Sequence, residues 1–249
     1  MRQSSHPSPI PHPPSPIPSF TPRLRLISWT VYRHYKGNRY LRLGVAAHSE
    51  DLSPQVVYRC LYDNPEARTW VRPQGMFEGL LEDGRRRFTA IGRVRLVGPA
   101  DMRTVLGFGF DAWHEGRSFD AYCASKDTDR NHLRGTRYLL EDAEGRAVAA
   151  MNVIRFSPSV IGFASVATDP AHRGQGHSAL LVRAVMELHR FVHGDVRFLL
   201  FSEVPPSVYE RHGFRVLPPE HQRFLPSVAM ATGKAPLSVE EAEPLKAYF

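Results

Sequence analysis

The chain is poor in cysteine and has no long apolar run. Its 249 residues include two cysteines, Cys60 and Cys123, and these form no CxxC pair. A disulfide framework and a cysteine-based zinc site are therefore not expected. No apolar run approaches the roughly 18 residues that would span a bilayer, and the N-terminus lacks the apolar centre of a secretory signal. These absences predict a cytoplasmic protein without a membrane partner.

Two frequent site signatures are also missing. The phosphate-loop pattern GxxxxGK[ST] and the zinc-protease pattern HExxH do not occur. His189 and His193 are spaced as i and i+4 on a predicted helix, which can bind zinc, but no carboxylate partner accompanies them. We therefore predict that no metal is bound.

The composition is that of a globular protein with a positive net charge. Hydrophobic residues make up 42%, charged residues 23%, and the formal net charge is +7. Such a balance suits an anionic partner, for example nucleic acid or a phosphorylated cofactor. The arginines are spread along the chain, however, and this favours the simpler interpretation that the charge serves solubility.

The patterning divides the chain into four segments. Residues 1–22 are a Pro-rich tail that should be extended or disordered. Residues 23–91 contain short β-rich runs joined by turns such as Lys36-Gly37-Asn38, which predicts a small, mostly antiparallel β domain. Residues 92–232 mix strands with helices, one of which is predicted over Pro99 to Trp113. Residues 233–249 are expected to be a C-terminal tail.

The β domain carries a specific string, YRHYKGNRY followed by WVRPQGMF. It resembles a short bacterial family of unknown function, and the resemblance implies a small β domain without an assigned activity. Tyr32, His34, Tyr35, Lys36 and Tyr40 interleave aromatic and basic groups near one turn, a combination that suits nucleic acid. Packing of alternating strand residues into a core is the favoured alternative.

The segment Ala164 to Val185 is the most informative part of the sequence. A predicted strand ends at Thr168, a glycine-containing loop follows, and a helix opens directly after it. Glycine lets backbone approach a phosphate closely, and the free N–H groups of a first helical turn attract an anion. Residues 173–178 are therefore a predicted diphosphate cradle, to which Arg173 can add a charge-assisted contact.

Two motifs together resemble the GNAT superfamily of acyltransferases. The first is the cofactor signature [Q/R]-x-x-G-x-[G/A], matched by Arg173 and Gly176, with Ser178 as a departure at the last position. The second is Y-x-x-x-G-F, matched by Tyr209, Gly213 and Phe214. The resemblance covers residues 93–232 and implies an α/β fold: a mixed, splayed central sheet with flanking helices, here preceded by the small β domain.

The resemblance also implies a direct transfer from acetyl-CoA as cosubstrate to a primary amine. Tyr209 would protonate the departing thiolate, and Glu203 is the nearest carboxylate that could serve as a base. The helical region carrying Trp113, Phe119 and Tyr122 would wall the acceptor site. The residues implied in cofactor binding are Val166, Ala167, Thr168, Arg173, Gly174, Gln175, Gly176, His177 and Ser178.

Two other functions stay open at the level of sequence. One is a non-catalytic acyl-CoA sensor or scaffold, since Ser178 departs from the signature and no general base is obvious. The other, less favoured, is nucleic-acid binding through the basic β domain. The sequence specifies neither the amine acceptor nor the acyl chain length, and it leaves open whether the chain forms a homodimer.

Overall fold

The computed structural model describes residues 28–194, 196–234 and 236–249. The Pro-rich segment 1–22 lies outside these residues, so the prediction made for it stays a prediction. The strands are β1 (Ser28–His34), β2 (Arg39–Ala47), β3 (Pro54–Cys60), β4 (Thr69–Pro73), β5 (Phe88–Leu96), β6 (Thr136–Asp142), β7 (Ala147–Arg155), β8 (Val160–Thr168), β9 (Arg197–Ser202), β10 (Phe214–Val216) and β11 (Val228–Thr232). The α-helices are α1 (Gln74–Glu78), α2 (Met102–Gly107), α3 (Phe110–Trp113), α4 (Phe119–Lys126), α5 (Arg130–Arg134), α6 (His177–His193), α7 (Ser207–Glu210) and α8 (Val239–Ala242).

These strands form one continuous sheet, in the order β10-β11-β9-β8-β7-β6-β5-β1-β2-β3-β4. Every neighbouring pair is antiparallel except β8 and β9, which run parallel and are connected through α6. A parallel connection needs such a crossover. Among the antiparallel pairs, β1–β2, β6–β7 and β7–β8 are joined by short turns, whereas β5 and β6 are connected through the helices α2 to α5. The fold is thus the expected mixed α/β sheet with flanking helices, preceded by an antiparallel β region.

The strand β5 joins the N-terminal strands to the rest of the sheet. It pairs with β1 on one side, from Ser28↔Arg95 to His34↔Phe88, and with β6 on the other. The division predicted between residues 91 and 92 falls inside this strand, and it stays a prediction. The largest core cluster likewise joins Val31 and Leu41 of the N-terminal strands to residues of α6 such as Leu181.

The two faces of the sheet are covered by different helices. The long helix α6 buries an apolar stripe that includes Leu181, Val185 and Leu188 against one face. This amphipathic pattern explains why its position could be predicted from the sequence. The short helices α2, α3, α4 and α5 lie over the other face, where Val105 and Phe108 pack with Leu139 of β6.

The helix expected over Pro99 to Trp113 is broken into three pieces. A single 3-10 turn covers Pro99–Asp101, and α2 and α3 are separated around Phe108 and Gly109. Glycine has a low helix propensity, and Gly107 and Gly109 bracket the break. A Cβ at Gly109 would lie 2.1 Å from the Trp113 ring, so this glycine also lets the indole pack against the backbone.

The C-terminal residues pack onto the sheet. Leu245 and Phe249 are buried in a second apolar cluster with Ile154 of β7 and Leu199 of β9. Within the described parts of the chain, no helix combines the length and apolarity needed to cross a membrane. The cytoplasmic location stays a prediction.

Candidate active site

The two parallel strands separate towards their C-terminal ends. Their pairing runs from Val160↔Arg197 to Phe163↔Leu200 and includes no later residue of either strand. The strand β9 stays paired on its other edge, where Val228 of β11 faces Ser202. A gap therefore opens between the end of β8 and the end of β9, as the resemblance implied.

A β-bulge lies in β8 beside this gap. Ala150 of β7 faces Ala167, whereas Asn152 faces Ala164, so Ser165 and Val166 together oppose one residue of β7. Ser165 has a positive φ of 49°, which is uncommon for a residue other than glycine. Bulges of this kind bend a strand and leave backbone groups unpaired.

The direction of the free backbone groups follows from the strand alternation. The amide of Asp169 donates to Val148 O of β7 at 3.0 Å. Successive residues of an antiparallel strand present their N–H and C=O to opposite edges, so Thr168 presents its groups towards the gap, where its carbonyl accepts from Arg173 Nε at 3.4 Å. The role of the segment Val166 to Thr168 as a backbone surface for the cofactor arm stays a prediction.

The loop after β8 is shaped by two left-handed glycines. Gly174 has φ 78° and Gly176 has φ 80°, and no atom lies within 4 Å of a Cβ built on either of them. Glycine is therefore required at both positions for the backbone conformation and not for space, since other L-residues are strained at such φ values. Gly176 caps α6, and its carbonyl accepts the first intrahelical hydrogen bond, from Leu180 N at 3.0 Å.

The helix N-terminus that follows has free amides. Among the described residues, no acceptor contacts the N–H groups of His177, Ser178 and Ala179, and α6 has no side-chain cap. The side chain of Gln175 instead contacts His177, with Oε1 3.2 Å from Nε2. Unpaired amides and the positive end of the helix dipole suit an anion such as a diphosphate.

Arg173 points away from these amides in the structure. Its guanidinium donates to both carboxylate oxygens of Asp111, at 2.6 and 2.8 Å, and to Phe108 O at 3.1 Å. The hydrogen bonds from Arg173 lower the pKa of the Asp111 carboxyl. Arg173 thus fastens the loop to α3, and the partner residue Asp111 carried no signal in the sequence.

Tyr209 is placed by a short helix between proline and glycine. Pro206 O accepts hydrogen bonds from Tyr209 N and Glu210 N, and Gly213 ends the turn with φ 86°. The Tyr209 ring packs against Phe214 with ring centroids 5.9 Å apart. Burial, with a smaller contribution from the charge of Glu203, raises its pKa to about 12. The phenol is therefore protonated at neutral pH, as a proton donor must be.

Glu203 follows β9 directly and is held by two aromatic residues. Trp113 Nε1 donates to Oε2 at 2.8 Å, and the hydroxyl of Tyr248 donates to Oε1 at 2.5 Å. Burial, followed by this hydrogen bond, raises the pKa of Tyr248 to about 12. Sequence reasoning singled out Trp113 but missed Tyr248, because the C-terminal segment has no motif that signals its return to the sheet.

The helical region expected to wall the acceptor site lies over the same end of the sheet. Trp113 and Tyr122 line a narrow cleft that also includes Ser165 of the β8 bulge. Phe119 packs edge-on to Phe110, with ring centroids 5.2 Å apart. The aromatic residues therefore serve both as packing and as a wall of the cleft.

The histidines do not assemble into a metal centre. His189 Nε2 lies 3.2 Å from the Tyr138 hydroxyl, and burial lowers its pKa to about 4. Over residues 28–194, 196–234 and 236–249, no group of three or more His, Cys, Asp or Glu side chains is placed to hold a metal ion.

Comparison with family models identifies two domains. Residues 134–216 match the model of the acetyltransferase (GNAT) domain, and residues 30–90 match the model of a protein family of unknown function, DUF1653. The segment 134–216 is thus similar to acetyltransferase (GNAT) domains, and the segment 30–90 to DUF1653; we call these segments the GNAT domain and the DUF1653 domain. Both resemblances drawn from the sequence are confirmed.

Solved structures resemble the chain at low identity, and several of them are N-acetyltransferases. A spermidine N-acetyltransferase SpeG chimera from Vibrio cholerae and hSSAT is 16% identical, covers 57% of this chain and 94% of its own, and has a TM-score of 0.46. A putative N-acetyltransferase from Lactobacillus plantarum is 22% identical, with 56% and 97% covered and a TM-score of 0.43. Rv2747 from Mycobacterium tuberculosis, in complex with CoA and NLQ, is 14% identical, with 57% and 99% covered and a TM-score of 0.42. None of the curated proteins matches this chain.

Proposed function

We propose that the chain transfers the acetyl group of acetyl-CoA to a primary amine by direct attack. The observation that carries the proposal is the separation of β8 from β9 beside a helix that begins with unpaired amides. The C-terminal ends of two parallel strands lie at one edge of a sheet, so the loops after β8 and β9 meet there. Those loops carry the glycine cradle and lead to Tyr209.

The residues of this edge fit a coenzyme with a diphosphate and an amide-containing arm. The diphosphate would lie on the amides of Gly174 to Ser178, where Ser178 supplies its N–H as a glycine would. The backbone of Val166 and Thr168 would pair with the arm. One of these amides would also polarise the thioester carbonyl.

The chemistry would need one nucleophile and one proton donor. The neutral amine attacks the thioester carbonyl carbon, a C–N bond forms, and the C–S bond breaks. The sulfur leaves as thiolate and takes the proton of Tyr209, and the proton lost by the amine finally restores the phenol. A phenol with a pKa near 12 is a weak acid towards a thiol of pKa about 8.5, so the transfer depends on direct contact.

Glu203 is the proposed site of proton removal from the amine. Its two oxygens are held by Trp113 and Tyr248, which keep the carboxylate beside the acceptor wall. Each oxygen still has a lone pair available for a water molecule that leads to the amine. Glu203→Gln, which keeps the shape of the side chain, would test this role through the pH dependence of kcat.

The central experiment separates coenzyme binding from turnover. Acetyl-CoA and CoA are titrated by calorimetry, and CoA thiol release is followed with a panel of amines. Tyr209→Phe should lower kcat by about 10²- to 10⁴-fold and leave the acetyl-CoA Kd unchanged. Gly176→Val should abolish coenzyme binding, because a β-branched residue is strained at this φ. Tyr35→Phe, the same change at a tyrosine that is 40% exposed in the N-terminal β region, serves as a matched control.

The results also decide between the enzyme and a sensor. If acetyl-CoA binds but no amine in a broad panel releases CoA, the chain acts as a non-catalytic acyl-CoA sensor or scaffold. If neither acetyl-CoA nor CoA binds, both proposals are wrong.

Nucleic-acid binding is a second candidate, favoured by one surface of the DUF1653 domain. A concave region there is lined by Arg33, Tyr35, Arg85 and Arg86. Of these arginines, only Arg85 has an ion-pair partner among the described residues, namely Asp83. The test is salt-dependent binding of single-stranded DNA and RNA by the full chain. Arg33→Glu with Arg86→Glu should abolish that binding, whereas unchanged binding would contradict the role of this surface.

A further inference from the structure

The cleft beside the β8 bulge is small and is lined by several polar side chains. The volume of the cleft is about 30 Å³, and its polar lining includes Tyr122, Lys126, His132, Arg137, Asn152 and Ser165. Such a space fits one small polar group, not a long chain. Ser165 places it next to the strand segment that would hold the thioester.

Arg137 is a half-buried guanidinium without a carboxylate partner in the described structure. Its one hydrogen bond runs from a terminal nitrogen to His132 O at 3.1 Å. Burial lowers its pKa, and the charge of Asp129, which forms no ion pair with it, acts in the opposite direction. Other shielded arginines are paired, as Arg59 is with Glu187 at 2.8 Å and Arg95 is with Asp101 at 2.6 Å. A desolvated cation is costly unless paired, so Arg137 is suited to an anion from outside the chain.

Asn152 supplies a second, independent unfilled position. It faces Arg137 across β6 and β7, so the two side chains lie on the same face of the sheet. Asn152 is 2% exposed, and its Nδ2 donates to Asn131 O at 3.0 Å. Its Oδ1 is buried and has no hydrogen-bond partner among the described residues. Buried polar atoms are rarely left unpaired, so this oxygen also points to a missing ligand.

The remaining charges of the cleft do not supply the missing anion. The ammonium of Lys126 lies 3.5 Å from Asp129 Oδ2, and the Oδ1 of that carboxylate caps the first turn of α5. Burial lowers the pKa of His132 to about 4, so its imidazole is neutral at pH 7. On the side of the cleft opposite to Arg137, the indole N–H of Trp113 donates a hydrogen bond to Glu203. The acceptor region is therefore cationic at Arg137 and acidic at Glu203.

We propose that the acceptor is an amine that carries a carboxylate, such as an amino acid, and that Arg137 binds the carboxylate. This inference rests on the proposed acetyl transfer. The planar guanidinium matches a carboxylate, and the Asn152 amide oxygen accepts a hydrogen bond from a donor on the same molecule. The amino group then lies towards Ser165 and the thioester. A polyamine would place a second cation next to Arg137 and Lys126.

The test compares matched acids and amides. Initial rates of CoA release are measured with L-amino acids and with the corresponding L-amino acid amides. Arg137→Gln should raise KM for the acids by about 10- to 100-fold and leave KM for the amides and for acetyl-CoA unchanged. Arg137→Lys should give an intermediate KM. Arg130→Gln, an exposed arginine on α5, is the control and should change nothing.

A binding measurement separates this inference from the proposed function. N-acetyl-L-amino acids and N-acetyl-L-amino acid amides are titrated by calorimetry into the CoA-loaded protein. Preference for the acids that disappears in Arg137→Gln supports the carboxylate site, even if no amine is ever acetylated. Equal binding of acids and amides, no binding of either, or unchanged preference in Arg137→Gln overturns it, even if CoA release proves the transferase.

Discussion

Shielded arginines have opposite surroundings in two regions of this molecule. Between β3 and α6, which we call the β3–α6 junction, Glu187 is 1% exposed and accepts hydrogen bonds from Arg59 and Arg190, each at 2.8 Å. In the cleft beside the β8 bulge, Arg137 has a carbonyl as its partner and no carboxylate among the described residues. At the junction the buried carboxylate is paired with guanidinium groups of the chain. In the cleft the Arg137 guanidinium has no such partner among the described residues.

This difference separates structural charges from candidate binding charges. An ion pair closed within the fold holds two elements in register, here a strand of the DUF1653 domain and a helix of the GNAT domain. An incomplete set of polar groups costs stability in the free protein and gains it when a ligand arrives. The three predictions below test whether the two regions differ in this way.

The largest expected effect is at the junction. Glu187→Ala leaves Arg59 shielded without its partner, and we expect a loss of about 3–5 kcal/mol in the free energy of unfolding. Urea denaturation with fluorescence and circular dichroism measures it. Glu144→Ala, in an exposed turn, is the control and should change stability by less than about 0.5 kcal/mol. A loss of similar size in Glu187→Ala and Glu144→Ala would mean that the buried ion pair at the junction is no more important for stability than an exposed one, and the contrast with the cleft would fail.

An intermediate effect is expected from pH, through one histidine in the cleft and one on α6. Burial lowers the pKa of His132 in the cleft and of His189 on α6 to about 4. As pH falls below 6.5, the unfolded chain binds protons that the folded chain does not bind until about pH 4. Stability is therefore lost across that window, by up to about 2 kcal/mol at pH 5 for His189 and by less for His132, which is more open to solvent.

Urea denaturation at pH 7 and pH 5 measures this dependence. His132→Gln and His189→Gln should each reduce the difference in stability between pH 7 and pH 5 by the contribution of the histidine that is removed. The paired carboxylates do not interfere, since the pKa of Asp101 lies below its usual value and its contribution is lost only at lower pH. Equal stability of the unmutated protein at both pH values would contradict the burial of these imidazoles.

The smallest effect is expected for Arg137→Gln in the absence of ligand. Removing a cation that forms no ion pair with any described residue should change the free energy of unfolding by less than about 1 kcal/mol, or increase it. Arg59→Gln at the junction, measured in parallel by urea denaturation, should be clearly destabilising. A loss of several kcal/mol in Arg137→Gln would mean that this arginine supports the fold, and the contrast between the two regions would disappear.

Much of the fold around the site could be predicted because its signals are local. The strand β8 ends at Thr168 as predicted, and α6 begins directly after the glycine loop. Alternation, glycines at a turn and an amphipathic stripe are properties of neighbouring residues, so they are readable without contacts. The same holds for the Tyr209 turn between Pro206 and Gly213.

Other elements were missed because their causes are not periodic. The helix α5 is one short turn, begun by Asp129, whose Oδ1 accepts from the amides of Asn131 and His132. Its capping residue was a usable signal, but the segment is too short for an amphipathic pattern. Tyr248 and Asp111 could not be predicted as partners of Glu203 and Arg173, since their positions depend on how distant segments pack.

By itself, the sequence determined the class of the C-terminal domain, the glycine loop and the tyrosine, since each depends on residues close in the chain. Only the tertiary structure decided which charges are paired. It brought Glu187 to Arg59 across 128 positions and left Arg137 beside Asn152, with no ion-pair partner in the part of the chain that the structure describes. Pairing depends on distance and burial in the folded chain, and neither is encoded in the spacing of residues along it.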